Sequence, residues 1–280
     1  MRTLPPPQRD AEADLQTCID NAQPGIRPQF AVARPNILAA FEAYSQNGAW
    51  DPSTPHDVSG IPAAVRDAAR LSYSLTYRGR PLAAIRKDIL GIADGICPYC
   101  RLEPATTLDH FLPKSTDGVF ACYSPNLAPM CRVCNTLKGT KGSSVGHQFF
   151  THAYLDDLPW DVPFLIAQVA VGVRNVATNF LIDFSTGFDA ALYQRLAYQM
   201  AIFRLVPRYQ LAAIDVIFEQ SEKLRDMEIA GCTVNDRQAS IEGDASNQER
   251  TFGASHWKAA LLRALAANSD FLDGGYQKAL

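Results

Sequence analysis

Apolar positions recur at helical spacing in the first third of the chain. Ile37, Phe41 and Tyr44 predict a helix from about Asn36 to Asn47, with Asn36 as its cap and Gly48 as its stop. Before it, prolines at 5, 6, 7, 24, 28 and 35 predict an irregular arm over residues 1–35. Pro62 opens a second helix to about Tyr77, closed by Gly79. Pro81 opens a third to Leu90, closed by Gly91. The pattern then shortens: ATTLDHF is β-prone, and NTLKG predicts a short helix ending at Gly139. After residue 145, VPFLIAQVAV and NFLIDFS predict a hairpin, although the first run also suits the start of a helix. Residues 188–204 and Pro207–Met227 predict two helices, the second offering Ile214, Val216, Ile217 and Phe218 as apolar surface. Thr233–Gln248 is polar and predicts a loop. Ser255 caps a last helix, HWKAALLRALAA. The pattern is α+β and mostly helical. Its segments are 1–90 (arm and helices), 91–145 (a compact module) and 146–280 (hairpin and helices).

Composition narrows this picture. The chain has 280 residues, 47% hydrophobic and 20% charged, enough for a real core. The formal net charge is −3, so any nucleic-acid contact must be local rather than a property of the whole surface. No apolar run reaches membrane-spanning length, and MRTLPPPQRDAEADLQ lacks the apolar stretch of a secretory signal, so a cytoplasmic location is expected. Arg66, Arg70, Arg78, Arg80, Arg86 and Lys87 outnumber Asp67 and Asp88 over residues 61–90. That stretch is either a solvated helical face or a phosphate-facing surface.

Seven cysteines are present, and four stand in two Cys-x-x-Cys pairs: Cys97/Cys100 and Cys131/Cys134, with thirty residues between the pairs. Two chelating pairs of thiolates suit tetrahedral zinc. The second pair runs directly into NTLKG, so a zinc ion would pin a loop against a helix start, in a segment too short to build much core of its own. Thiol redox chemistry is the rival reading. A lone CPYC resembles a glutaredoxin-like site, but residues 1–96 lack the βαβ pattern that such a unit needs, and the second pair would have no role.

Between the pairs lie Asp109 and His110, at the end of ATTLDHF. A carboxylate suits a hard divalent ion such as magnesium, and an imidazole suits a general base. Asn135 follows Cys134 directly and offers a second hard oxygen, and Asn126 is a further polar residue inside the frame. Taken together, CPYC…LDHFLPKS…PNLAPMCRVCNTLKG closely resembles the zinc-framed branch of the HNH (ββα-metal) nucleases over about 45 residues. The resemblance implies a central ββα-metal module, flanked by helical regions, that cleaves phosphodiester bonds of DNA. Cys97, Cys100, Cys131 and Cys134 would hold structural zinc. His110 would be the general base, and Asp109 and Asn135 would hold one catalytic magnesium or manganese ion. Asn126 would orient the histidine by fixing its loop, and Lys114 and Lys138 would contact phosphate. The departure is that Asn135 stands where the motif's last histidine is usual.

A wider stretch, LDHFLPKS to HAYLD, resembles the HNH effector subunit of Septu-type and retron-linked anti-phage systems, with HAYLD in place of HPYFD. That resemblance implies an ATPase partner that restrains the nuclease. The alternatives are a restriction or recombination nuclease outside defence, and a zinc-stabilised nucleic-acid-binding module whose Asp109-His110 pair is inert. Plain readings also stand beside single residues: Asn126 as a turn residue, Lys114 as a solvated lysine, Cys122 as a buried thiol, and His147, His152 and Asp156 as packing residues.

Overall fold

The computed structural model describes residues 1–46, 57–141, 149–187 and 190–280. The expected helix end at Asn47 and Gly48, the first two residues of the expected helix at 188, and His147 fall outside them. The chain divides into two compact units, residues 3–157 and residues 158–280 with the first two residues. The N-terminal helices and the cysteine-framed segment therefore belong to one unit.

In the first unit, α1 (Ala11–Asp20) starts at Asp10, whose carboxylate accepts from the backbone N–H groups of Glu12 and Ala13 at 3.0 Å. Helix α2 (Arg27–Gln46) buries Phe30, Ala33, Ile37, Phe41 and Tyr44, one continuous stripe. Much of the expected arm is thus helical, and only residues 1–10 and the 21–26 turn are irregular. The proline count misled the reading because Pro35 removes a single helical N–H donor, while the buried stripe runs past it on both sides. Asn36 lies inside α2, and its side chain donates to the Gly60 carbonyl instead of capping. Helix α3 (Ala63–Ser72) continues into a 3-10 turn over Tyr73–Thr76, and α4 spans Ala83–Ile92.

Strands β1 (Thr107–His110) and β2 (Leu127–Met130) pair antiparallel, with Asp109 opposite Ala128 and His110 opposite Leu127. Helix α5 (Arg132–Lys138) follows at once, giving a strand–strand–helix order with residues 111–126 looping between the strands. The loop packs against α3 at Gly118, where a Cβ would come within 2.7 Å of the Arg66 carbonyl oxygen. Glycine alone permits that approach.

In the second unit, β3 (Leu165–Val171) and β4 (Val176–Ile182) form the expected hairpin. Around it stand α6 (Ala190–Ile202), α7 (Leu205–Ile229), α8 (Val234–Phe252), α9 (Trp257–Ala266) and α10 (Ser269–Leu272). On α7, Val216 and Ile217 are buried, but Ile214 and Phe218 are exposed. The expected loop at Thr233–Gln248 is helix α8. Thr233 and Asp236 form a reciprocal capping box, and Arg237, Ile241 and Ala245 recur every four residues on the buried side. Its polarity reports a wide solvent face, not a loop. Ser255 does not cap α9; it donates to the Val162 carbonyl, and His256 is the cap. Among the described residues no helix is long and apolar enough to cross a membrane.

Candidate metal centre and active site

The Sγ atoms of Cys97, Cys100, Cys131 and Cys134 all lie within 4.8 Å of one another, and all four residues are buried. Zinc–sulfur bonds of about 2.3 Å put the sulfurs of a tetrahedron roughly 3.8 Å apart. The Cys100–Cys131 sulfur separation is 3.8 Å. The group could therefore hold a zinc ion. Local backbone builds each pair. The Cys97 N–H donates to the Glu103 carbonyl at 2.9 Å and Arg101 donates back to the Cys97 carbonyl at 2.9 Å, with Arg101 in the left-handed region at φ 56°. Cys131 is the N-cap of α5, its sulfur accepting from the Cys134 N–H at 3.3 Å. Hydrogen bonds from Cys131, Cys134 and Cys97 pull the Cys100 thiol down, while burial pushes Cys97 up. One thiolate is stabilised by its three neighbours; four in one buried site need a cation.

A pocket of about 250 Å³ opens beside this frame. Asp109, His110, Lys114 and Asn135 line it, with Tyr73, Pro113, Ser115 and Thr140. Four of the residues singled out in the sequence therefore share one pocket. Asp109 and His110 are strand neighbours, yet both line it, because they stand at the end of β1.

His110 Nε2 lies 3.0 Å from the Ala121 carbonyl oxygen. A carbonyl only accepts, so Nε2 carries the proton and Nδ1 is the basic nitrogen. Burial, joined by the charges of Lys114 and Lys138 and opposed by the Ala121 carbonyl, lowers the ring's pKa to about 3. The imidazole is neutral at pH 7. The Tyr73 ring packs edge-on against it at 4.4 Å, and Lys114 Nζ sits 4.4 Å over that same ring. Asn135 Nδ2 donates to Thr107 Oγ1 at 2.9 Å and to the Leu108 carbonyl at 3.2 Å. The amide nitrogen is thereby committed to β1, and Oδ1 is left as the oxygen available to a ligand.

Lys138 and Asn126 are placed differently from the rest. Lys138 is 1% exposed, so it does not stand ready for phosphate as expected. Its Nζ donates to the His110 carbonyl at 2.6 Å and lies 2.8 Å from Asp109 Oδ2. The second contact is an ion pair without hydrogen-bond geometry, and Oδ2 has no hydrogen-bond partner. Burial raises the Asp109 carboxyl above the usual range, against the pull of the Lys138 charge. Asn126 is fully buried behind the pocket. Its Oδ1 accepts from the Leu112 N–H at 2.8 Å and the Tyr44 hydroxyl at 3.1 Å, and its Nδ2 donates to the Leu112 and Phe120 carbonyls at 3.2 Å. The amide ties both ends of the 111–126 loop together.

Cys122 is buried, as the plain reading expected. Of the basic stretch, Arg86 donates to the Thr106 carbonyl at 3.1 Å beside the module, and Arg70 pairs with Asp67 at 3.3 Å. Tyr73 and Tyr44 were missed from sequence. Both lie outside the cysteine frame; helical spacing marks Tyr44 only as a core position, and nothing local marks Tyr73. The chain matches no family model, no curated protein and no solved structure.

Proposed function

We propose that this chain is a metal-dependent endonuclease of the HNH type, cleaving phosphodiester bonds of DNA. One observation carries the reading: Asp109, His110 and Asn135 share a pocket beside a four-cysteine frame, with the histidine held by a carbonyl through Nε2. His110 takes a proton from the attacking water at Nδ1. The Ala121 carbonyl steadies the imidazolium that forms, and Lys114 meets the substrate's negative charge at the pocket rim. Asp109 and Asn135 fit a magnesium or manganese ion: both offer hard oxygens, and Asp109 Oδ2 is held by its ion pair with Lys138 and by no other partner. When bound, such an ion supplies charge neutralisation for the phosphate and the leaving oxygen. The four cysteines would hold a zinc ion that fixes the start of α5, and with it Asn135.

The same reading makes the chain the nuclease effector of an anti-phage system with an ATPase partner. That step rests on the run from LDHFLPKS to HAYLD. A second reading also has its own observation. Asp109 is already paired with buried Lys138, as it would be in a binding module that only uses the pair structurally.

Supercoiled plasmid with magnesium or manganese separates the two. Nicking that EDTA abolishes, and that His110→Ala reduces about 100- to 10,000-fold, supports the nuclease. DNA binding without cleavage, alone and with an ATPase encoded beside it where one is found, supports the module. Zinc measured on both proteins checks that the frame is intact.

A further inference from the structure

The segment HAYLD, residues 152–156, lies outside the pocket but is wired to it. His152 Nδ1 accepts the N–H groups of Tyr154 and Leu155 at 3.1 and 3.2 Å. With Nδ1 accepting, neutral His152 carries its proton on Nε2, which lies 2.9 Å from the Tyr44 oxygen. Tyr44 accepts that proton's hydrogen bond and donates its own to Asn126 Oδ1 at 3.1 Å. Burial pushes the Tyr44 phenol well up, so it keeps the O–H it donates. Asn126 then uses its last donor on the Phe120 carbonyl, one residue before Ala121, whose carbonyl holds His110. Every link has a forced direction, and every link is buried.

The rest of the segment braces the same hairpin. The Tyr154 hydroxyl donates at 2.6 Å to the carbonyl of Leu127, the residue opposite His110 in the sheet. Asp156 accepts the His152 N–H at 2.6 Å. The N-terminal residues clamp it from outside, through Leu4 N–H to the Ala153 carbonyl at 2.7 Å and Thr3 Oγ1 to the Asp156 carbonyl at 2.6 Å. Apolar residues at 44 and 152 would fill the space without any desolvation cost. A fully satisfied polar chain does what they cannot: it selects one arrangement of the 111–126 loop.

We propose that His152, acting through Tyr44 and Asn126, is a positioning residue that sets the orientation and tautomer of His110; this rests on the nuclease reading above. Tyr44→Phe removes one oxygen from the chain and keeps the ring packing. His152→Gln keeps a donor where Nε2 stands, and His152→Asn keeps only an acceptor where Nδ1 stands. The full-length proteins are compared for zinc content, plasmid nicking kinetics, and the His110 tautomer by long-range proton–nitrogen NMR. Tyr44→Phe should lower kcat about 10- to 100-fold with KM within about twofold, zinc unchanged, and His110 no longer purely Nε2-protonated. His152→Gln should cut faster than His152→Asn. Wild-type kcat in Tyr44→Phe with an unchanged tautomer overturns the proposal. So does the reverse order of the His152 variants, which would mean that the histidine only anchors its own loop. If the wild type cuts nothing, the nuclease reading fails by itself and the tautomer decides alone. A tautomer altered in Tyr44→Phe upholds the positioning link, and an unaltered one ends it.

Discussion

The two units bury different things. Residues 3–157 bury Asp109, His110, Lys138, Asn126, His152 and Asp156, with the four cysteines of the frame, around one short hairpin. Residues 158–280 bury chiefly apolar surface: Leu196, Phe203, Leu205, Leu224, Leu261, Leu265 and Phe271 among others. A buried charge or amide costs stability unless it is fully partnered, so a fold built only for stability has no reason to collect them. The first unit holds such a collection, and two of its members, Asp109 and His110, line the pocket. The second unit buries polar groups too, among them Arg195, Gln199, Gln220, Arg237 and His256, but no carboxylate among its described residues. The difference is one of charge: the buried carboxylates among the described residues, Asp14, Asp109 and Asp156, all lie in the first unit.

That contrast is open to direct attack, and the largest effect should come from the frame. Cys131→Ser, or a strong chelator, should release zinc and unfold the hairpin region of residues 3–157, since metal binding to such sites is itself folding free energy. Hydrogen exchange should show protection lost at β1, β2 and α5 while α7 and α9 stay protected. Uniform loss across both units would break the comparison. Next, Lys138→Met should cost about 3–5 kcal/mol, because it leaves the Asp109 carboxylate buried and unpaired. Adding Asp109→Leu should recover most of that loss in urea unfolding, although not cleavage. In the second unit, Leu261→Ala should cost about 2–5 kcal/mol as an ordinary cavity and leave zinc content and nicking at wild-type levels. The smallest effect should come from Thr233→Ala, which opens the α8 capping box and costs about 1 kcal/mol by thermal unfolding.

Legibility in the sequence follows the range of the forces involved. The cysteine spacing was readable because a Cys-x-x-Cys turn is decided by a few adjacent residues. The β1 run, the short helix to Gly139 and the β3–β4 hairpin were readable for the same reason. Helix α8 is hard to see in the sequence because its polar face outnumbers its buried one. The N-terminal helices are masked by six prolines, of which Pro35 interrupts the buried stripe of α2. Lysine is usually exposed, so nothing in the sequence marks Lys138 as turned inward against Asp109.

Residue type and spacing alone were enough for the α+β, mostly helical class, the four-cysteine frame, Asp109, His110 and Asn126 inside it, and Asn135 directly after it. Those are local patterns, carried by residue type and spacing. Tertiary structure decided which of them meet. It put Asp109, His110, Lys114 and Asn135 in one pocket, sent Asn126 and Lys138 behind it, and joined Tyr44 of α2 to His152, 108 residues away. A hydrogen bond depends on distance in space, and separation along the chain carries no record of that until the chain has folded.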